Sequence, residues 1–353
     1  MATNVEVERR NALRFWGLRI AVVLLVLAVP IVWLTFPRPF RGEPLPNPNG
    51  YDTLLSAAGA MKTQSPRRKT EPISLDDATT EELRAFVSAN EEAIASAKFG
   101  LRQASYVPLT GAKTLQSHMN DFGKLRGLGR LIPAQAMLFE RENQPIEAAD
   151  RFLDTIRLGH AFSQGGLIMD RLVENAVQWP GIEGLNRLSA TFTTTDAKRL
   201  AREVERLEDT REPLDRVVDR DHAFALAQGG WPLRLAYAVN RKALQGFMKP
   251  AIASAEQADR RGRAALRLLA TTLALRAYRL DHPDAHAPAS VYLLIPDYLS
   301  AIPIDPLGKG PLKLKRQGGE VIPYSVGVNG LDDGGIPPES KKSTGNDLLL
   351  GIP

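Results

Sequence analysis

An uncharged apolar run, Ile20 to Phe36 (IAVVLLVLAVPIVWLTF), constrains this chain more than any other feature. At ~1.5 Å per residue it measures roughly 26 Å as a helix, against a bilayer core of ~30 Å. Counting back to Phe15 gives ~33 Å. Arg19 then snorkels outward along its own stem. Phe15, Trp16 and Trp33 fall near the ends, where amphipathic rings prefer the interface, and Pro30 is tolerated in a spanning helix. A cleaved signal peptide is the competing reading. The run is longer than a usual h-region, however, and Phe36-Pro37-Arg38-Pro39 follows it rather than a small-x-small site. The expectation is a single-pass anchor.

Flanking charge orients it. Arg9, Arg10, Arg14 and Arg19 precede the run, whereas Arg38 and Arg41 follow it. This bias places the N-terminus inside and the long C-terminal part outside. Residues 1–36 hold four arginines and two glutamates, leaving 41 basic against 38 acidic residues elsewhere. The exported part is therefore nearly neutral, and the pI of about 9.4 does not argue for nucleic acid. Arg67-Arg68-Lys69 and Asp259-Arg260-Arg261-Gly262-Arg263 read as a solvated loop and a helix face, and nucleic-acid binding is not expected. The chain has no cysteine, which excludes disulfides, thiolate zinc sites and cysteine catalysis.

Beyond the anchor, five prolines between Pro37 and Pro48 describe a semi-rigid spacer. From 50 to about 280 the apolar spacing is helical. Thr79-x-x-Glu82 is a capping box opening a helix through Leu83, Phe86, Val87 and Ile94 toward Phe99. Further helices are expected over Leu115–Asn143, from near Ile146 to Gly165-Gly166, over 167–190 with a kink or break at Trp179-Pro180-Gly181, and from Thr194-Thr195-Asp196, kinked at Pro213. A shorter helix follows Gly229-Gly230-Trp231-Pro232, and the last runs over 251–280. Residues 64–73 read as a polar loop. The pair 125–143 and 146–164 weakly resembles one tetratricopeptide-type hairpin, but no fixed period makes an array. Past Asp281 the texture changes. Lys313–Gln317 and 320–326 read as two short strands around Gly318-Gly319.

The fold class expected is mainly α: an N-terminal transmembrane helix, an antiparallel helical domain and a small C-terminal α+β module with a short antiparallel sheet. The domains are 1–36 (cytoplasmic stub and anchor), 37–49 (proline-rich linker), 50–250 (helical domain) and 251–353 (long helix plus β/loop module).

The last of these carries a resemblance. Its pattern begins with Leu273-Ala274-Leu275-Arg276-Ala277-Tyr278-Arg279-Leu280-Asp281 and Pro288-Ala289-Ser290. Leu294-Ile295-Pro296-Asp297-Tyr298-Leu299 and Ile302-Pro303-Ile304-Asp305-Pro306-Leu307-Gly308 come next. Pro311-Leu312-Lys313-Leu314, Tyr324-Ser325-Val326-Gly327-Val328-Asn329-Gly330, Asp332-Asp333-Gly334-Gly335 and Gly345-Asn346-Asp347 complete it. Over about 80 residues this resembles the globular end of the major pseudopilin of type II secretion. The resemblance implies a calcium ion bound in the loop after the second strand, with Ser325, Asn329, Asp332, Asp333 and Asp347 as candidate ligands. Hard oxygen donors suit calcium, although the spacing is not that of an EF-hand and Asp-Asp-Gly-Gly is also ordinary turn chemistry. The N-terminus departs from the pattern. No Gly precedes a Phe at a processing site and the apolar helix holds no Glu, so assembly into a pseudopilus is not expected.

Catalytic signatures are absent from the sequence: there is no His-Glu-x-x-His, Gly-x-Ser-x-Gly, phosphate-binding loop or dinucleotide fingerprint. Asp281-His282-Pro283-Asp284-Ala285-His286 gathers potential metal ligands at a helix exit, where capping is the commoner use. Asp170 and Glu174 share a helix face, and an ion pair with Arg171 or Arg151 is expected rather than acid–base chemistry. His118, His160 and His222 stand alone on helices. No catalytic residue is assigned. The expected function is a non-enzymatic, membrane-anchored extracytoplasmic scaffold or interaction protein of the bacterial inner membrane, related to secretion or the envelope and working with envelope partners. The alternatives are a ligand-binding or sensor module with a groove between the helices of 115–190, and a hydrolase with an unrecognised site.

Overall fold

The computed structural model describes positions 16, 19, 22, 23, 26, 28 and 29, and residues 40–350 apart from 70, 111–112, 285–287 and 338–346. For 241, 243–245 and 247 it describes the backbone alone. The seven described positions before 40 are helical, and the rest of the expected anchor lies outside the described residues. Among the described residues no helix is long and apolar enough to cross a membrane.

The chain divides into two compact units. The larger comprises Gly42–Asp221 and Pro250–Pro353, the smaller Met1–Arg41 and His222–Lys249. Among the described residues both are mainly helical, and the sheets are two small antiparallel pairs in the larger unit.

In the larger unit, α1 (Gly50–Gly59) starts at Asn49, whose side chain accepts from the Tyr51 N–H. A two-residue pair, β1 (Arg67–Arg68) and β2 (Glu71–Pro72), occupies the expected polar loop. The capping box forms as expected. Thr79 Oγ accepts from Glu82 N at 3.2 Å, and Glu82 accepts from Thr79 N at 2.8 Å. The helix it opens is not one but two, α2 (Thr80–Ala89) and α3 (Glu91–Gly100). The break is Asn90 (φ −121°, ψ 22°). Its buried amide donates to the Phe86 and Thr63 carbonyls and accepts from Lys62 N, which ties the joint to the preceding loop.

The next three helices, α4 (Leu115–Arg141), α5 (Pro145–Ser163) and α6 (Ile168–Leu188), form the centre of the unit. Contacts between α5 and α6 run antiparallel: Phe152 faces Gly184, Ile156 faces Gly181, Gly159 faces Gln178, and Ser163 faces Glu174. Of the kink or break expected at Trp179-Pro180-Gly181, the break does not occur; Pro180 sits inside a continuous α6. A proline here costs a backbone hydrogen bond. The close approach of Gly181 and Gly184 to Phe152 holds the helix in line. At Pro213 the expected kink is instead an interruption between α7 (Thr194–Asp209) and α8 (Leu214–Gln228).

One helical run, α9, extends over Gly230–Asp281, with Asn240 out of helical geometry (φ −136°, ψ 47°) and Pro250 inside it. The two helices expected here thus join at Pro250, and the irregularity lies at Asn240. The chain's main apolar core unites Phe152, Leu153 and Ile156 with Leu200 and Val204, with Leu266, Leu269 and Leu273, and with Leu294, Tyr298, Leu312 and Leu350. Residues 265–277 and the C-terminal module therefore bury their apolar faces on the helices of 136–207. The hairpin expected around Gly318-Gly319 is present as β3 (Lys313–Gln317) and β4 (Glu320–Tyr324). Both glycines have positive φ (59° and 83°), which a two-residue turn matched to strand twist requires.

In the smaller unit, Gly230 turns the chain at positive φ (61°). The Tyr237 ring then meets that of His222 at 4.7 Å, Arg234 donates to the Leu226 carbonyl, and Phe40 packs edge-on against Phe224.

Candidate functional site

The densest polar chemistry in the described residues is inside the larger unit, on the buried face of α6. Asp170, Arg171, Glu174 and Gln178 are all solvent-inaccessible or nearly so. The i, i+4, i+8 spacing of Asp170, Glu174 and Gln178 lines them along one side of the helix, toward α4 and α5.

Asp170 stands at the N-terminal turn of α6 and accepts from the Leu167 N–H at 2.5 Å. Its two oxygens each lie 3.0 Å from Nε2 of His118 on α4. Burial pushes the Asp170 carboxyl up, against the opposing pull of His118 and the Leu167 amide. The other nitrogen of His118 has no protein hydrogen-bond partner and its ring stacks edge-on against Phe122. Tyr51 lies nearby, completely buried; burial above all, then the Asp170 charge, pushes its hydroxyl up.

Glu174 is bound differently. It accepts from Ser163 Oγ at 2.6 Å, from Arg171 at 3.0 Å and from Gln178 at 3.1 Å, and Arg211 approaches to 3.3 Å. His160 stands 3.8 Å away. Burial works to raise this carboxyl, but Arg211, His160 and Arg171 together hold it down at about 2. Arg171 also donates to the Glu212 carbonyl, and Asp259 on α9 sits 3.5–3.7 Å from Arg171 and Arg211. Thus Glu174 ties α5 and α6 to the segment before α8, and Asp259 brings α9 onto the same two arginines. Arg171 is the partner expected for Glu174; Arg151 pairs with Asp154 instead. Sequence reasoning missed Arg211, Asp259 and the His118–Asp170 pair. The only local signal was the run of polar positions along α6.

The five residues that the pseudopilin resemblance implies for calcium each take part in hydrogen bonds of the C-terminal module. Ser325 donates to Asp305 at 2.7 Å. Asp332 accepts from Tyr324 and pairs with Lys313 at 2.9 Å. Asn329 donates to Asp333, and Asp347 accepts from the backbone of Gly335 and Asp333. Burial raises the Asp347 carboxyl. Asn329, Asp333 and Asp347 therefore adjoin, and these hard oxygens fit calcium in kind. Among the described residues no three Asp, Glu, His or Cys side chains are grouped to hold a metal ion.

At the helix exit, Asp281 pairs with Lys198 and accepts from Tyr298, and His282 stacks on Tyr278. These are capping and packing contacts; His286 lies outside the described residues. An open groove beside α4 is lined by Gln64, Asn120, Lys124, Arg126 and Arg130.

No known protein family matches the chain, and neither a curated protein nor a solved structure matches it.

Proposed function

We propose that this chain is a non-enzymatic scaffold or interaction protein, held by a single-pass N-terminal anchor in a bacterial inner membrane, with its helical unit on the extracytoplasmic side. One observation carries the reading. The carboxylates best placed by sequence for acid–base work, Asp170 and Glu174, are sealed from solvent and bound to His118, Ser163, Arg171 and Gln178. A general acid or base must reach the proton it moves; these groups instead tie helices together. The sensor alternative needs a groove between the helices of 115–190; between α5 and α6 that space is filled by Phe152 and Ile156 against Gly184 and Gly181. The C-terminal module gives the secretion-related element of the proposal, through its resemblance to the pseudopilin end. Calcium is proposed there as a structural ion on Asn329, Asp333 and Asp347.

Affinity purification of the full chain from detergent-solubilised membranes tests the function. The expected result is a stoichiometric envelope partner that survives salt washing. Recovery of the chain alone, from cells in which it is folded and membrane-bound, would reject the scaffold reading.

A further inference from the structure

The smaller unit contains a surface that neither the anchor nor the buried polar core explains. In α9, Leu233, Arg234 and Tyr237 are partly buried, and Arg234 and Tyr237 face the end of α8 through Leu226 and His222. The opposite side carries Trp231, Leu235 and Val239 at i, i+4 and i+8. Their exposures are 54, 41 and 78%, so large apolar side chains stand in the open along two turns. Met248 is also exposed, as are the cations Lys242 and Lys249.

Charge identifies what such a face fits. From 222 to 255 the chain has no Asp or Glu, while Arg234, Arg241, Lys242 and Lys249 give it four positive charges. Elsewhere the two signs are nearly balanced. A helix with a Trp-bearing apolar face and an unopposed cationic complement matches an anionic bilayer surface, where apolar side chains enter the acyl boundary and cations meet phosphates. Tryptophan favours that depth. Nucleic acid would satisfy the charge and leave Leu235 and Val239 in water. The segment also belongs to the same compact unit as Met1–Arg41, the part of the chain read as the anchor.

We infer that residues 230–249 form a second membrane contact: an interfacial segment that seats Trp231, Leu235 and Val239 in an anionic phospholipid surface, with Lys242 and Lys249 at the headgroups. The inference rests on the anchored reading only in that the anchor brings a bilayer within reach.

The experiment uses the full chain in vesicles of phosphatidylglycerol and phosphatidylcholine whose acyl chains are brominated near the headgroup. One variant keeps Trp231 alone (Trp16→Phe, Trp33→Phe, Trp179→Phe). A second keeps Trp33 alone (Trp16→Phe, Trp179→Phe, Trp231→Phe). Trp231 emission is expected to fall at least twofold relative to unbrominated vesicles. Lys242→Glu with Lys249→Glu is expected to reverse most of that quenching, as is replacing phosphatidylglycerol by phosphatidylcholine. Unchanged Trp231 emission overturns the inference, and if Trp33 is quenched in the same vesicles the anchor stands without it. Quenched Trp231 beside unquenched Trp33 supports the interfacial contact and removes the anchor. Quenching indifferent to phosphatidylglycerol overturns the assignment to anionic lipid.

Discussion

Glu174 is a carboxylate without access to water that nonetheless stays ionised, because Arg171 and Arg211 approach it from two directions and Ser163 and Gln178 donate to it. Its folded pKa, about 2, lies below the usual carboxylate range. The stability it contributes is therefore complete above about pH 4.5 and is lost as pH falls toward 2. Asp170 acts in the opposite sense: burial raises its pKa, so its contribution is complete below the unfolded carboxylate range and lost as pH rises through its folded value. Glu174→Gln should cost about 3–5 kcal/mol at neutral pH, since two buried guanidiniums lose the nearer of their two counter-charges. It should also flatten the acid limb of stability between about pH 4.5 and 2. Urea unfolding of the two proteins across that range measures both effects; equal acid limbs would refute the assignment. At this scale the sequence was half legible. The shared face of Asp170 and Glu174 follows from helical spacing alone, but Arg211 and Asp259 reach the site only through the tertiary packing of later helices.

Between α5 and α6 the contact depends on residues that have no side chain. A Cβ at Gly181 would lie 2.5 Å from the Phe152 carbonyl and 2.9 Å from Ile156. Gly181→Ala should cost about 1–3 kcal/mol as an overpacked contact. Gly123, exposed on α4, has nothing within 4 Å of such a Cβ. There Gly123→Ala should gain up to about 1 kcal/mol of helix propensity. Thermal unfolding of the pair reads the contrast, and two changes of the same sign would contradict the packing described. The same contrast shows which elements could be read in advance. The capping box at Thr79 and the turn at Gly318-Gly319 were legible because their chemistry is local. Asn90 split an expected helix by bonding to a loop far back in the chain. Pro180 failed to break one because packing against Phe152 outweighed a lost backbone bond.

For the molecule as a whole, the two units leave different tasks to different chemistry. The larger is joined by one apolar core and by arginine–carboxylate ties, and its C-terminal loops depend on Asp305, Asp332 and Asp347 for their hydrogen bonds. With no cysteine available for a disulfide, the calcium ion proposed above would be a further staple for those loops. Calcium at a hundredfold excess over its dissociation constant should stabilise the chain by about 2.7 kcal/mol. Calorimetry with added calcium against added chelator reads this as a rise in Tm, and identical scans would remove the ion from the proposal.

The larger unit is also discontinuous in the chain: residues 222–249 intervene, and Leu266, Leu269 and Leu273 then fill the core already lined by Phe152, Leu153 and Leu200. A ribosome or translocon delivering this protein thus presents the first 221 residues with an open apolar seam. That seam closes only when residues 265–277 arrive, and Leu350 joins it later still. Maturation is consequently a late, all-at-once event. Until then the apolar side chains of 136–207 that face this seam have no partner from the later part of the chain.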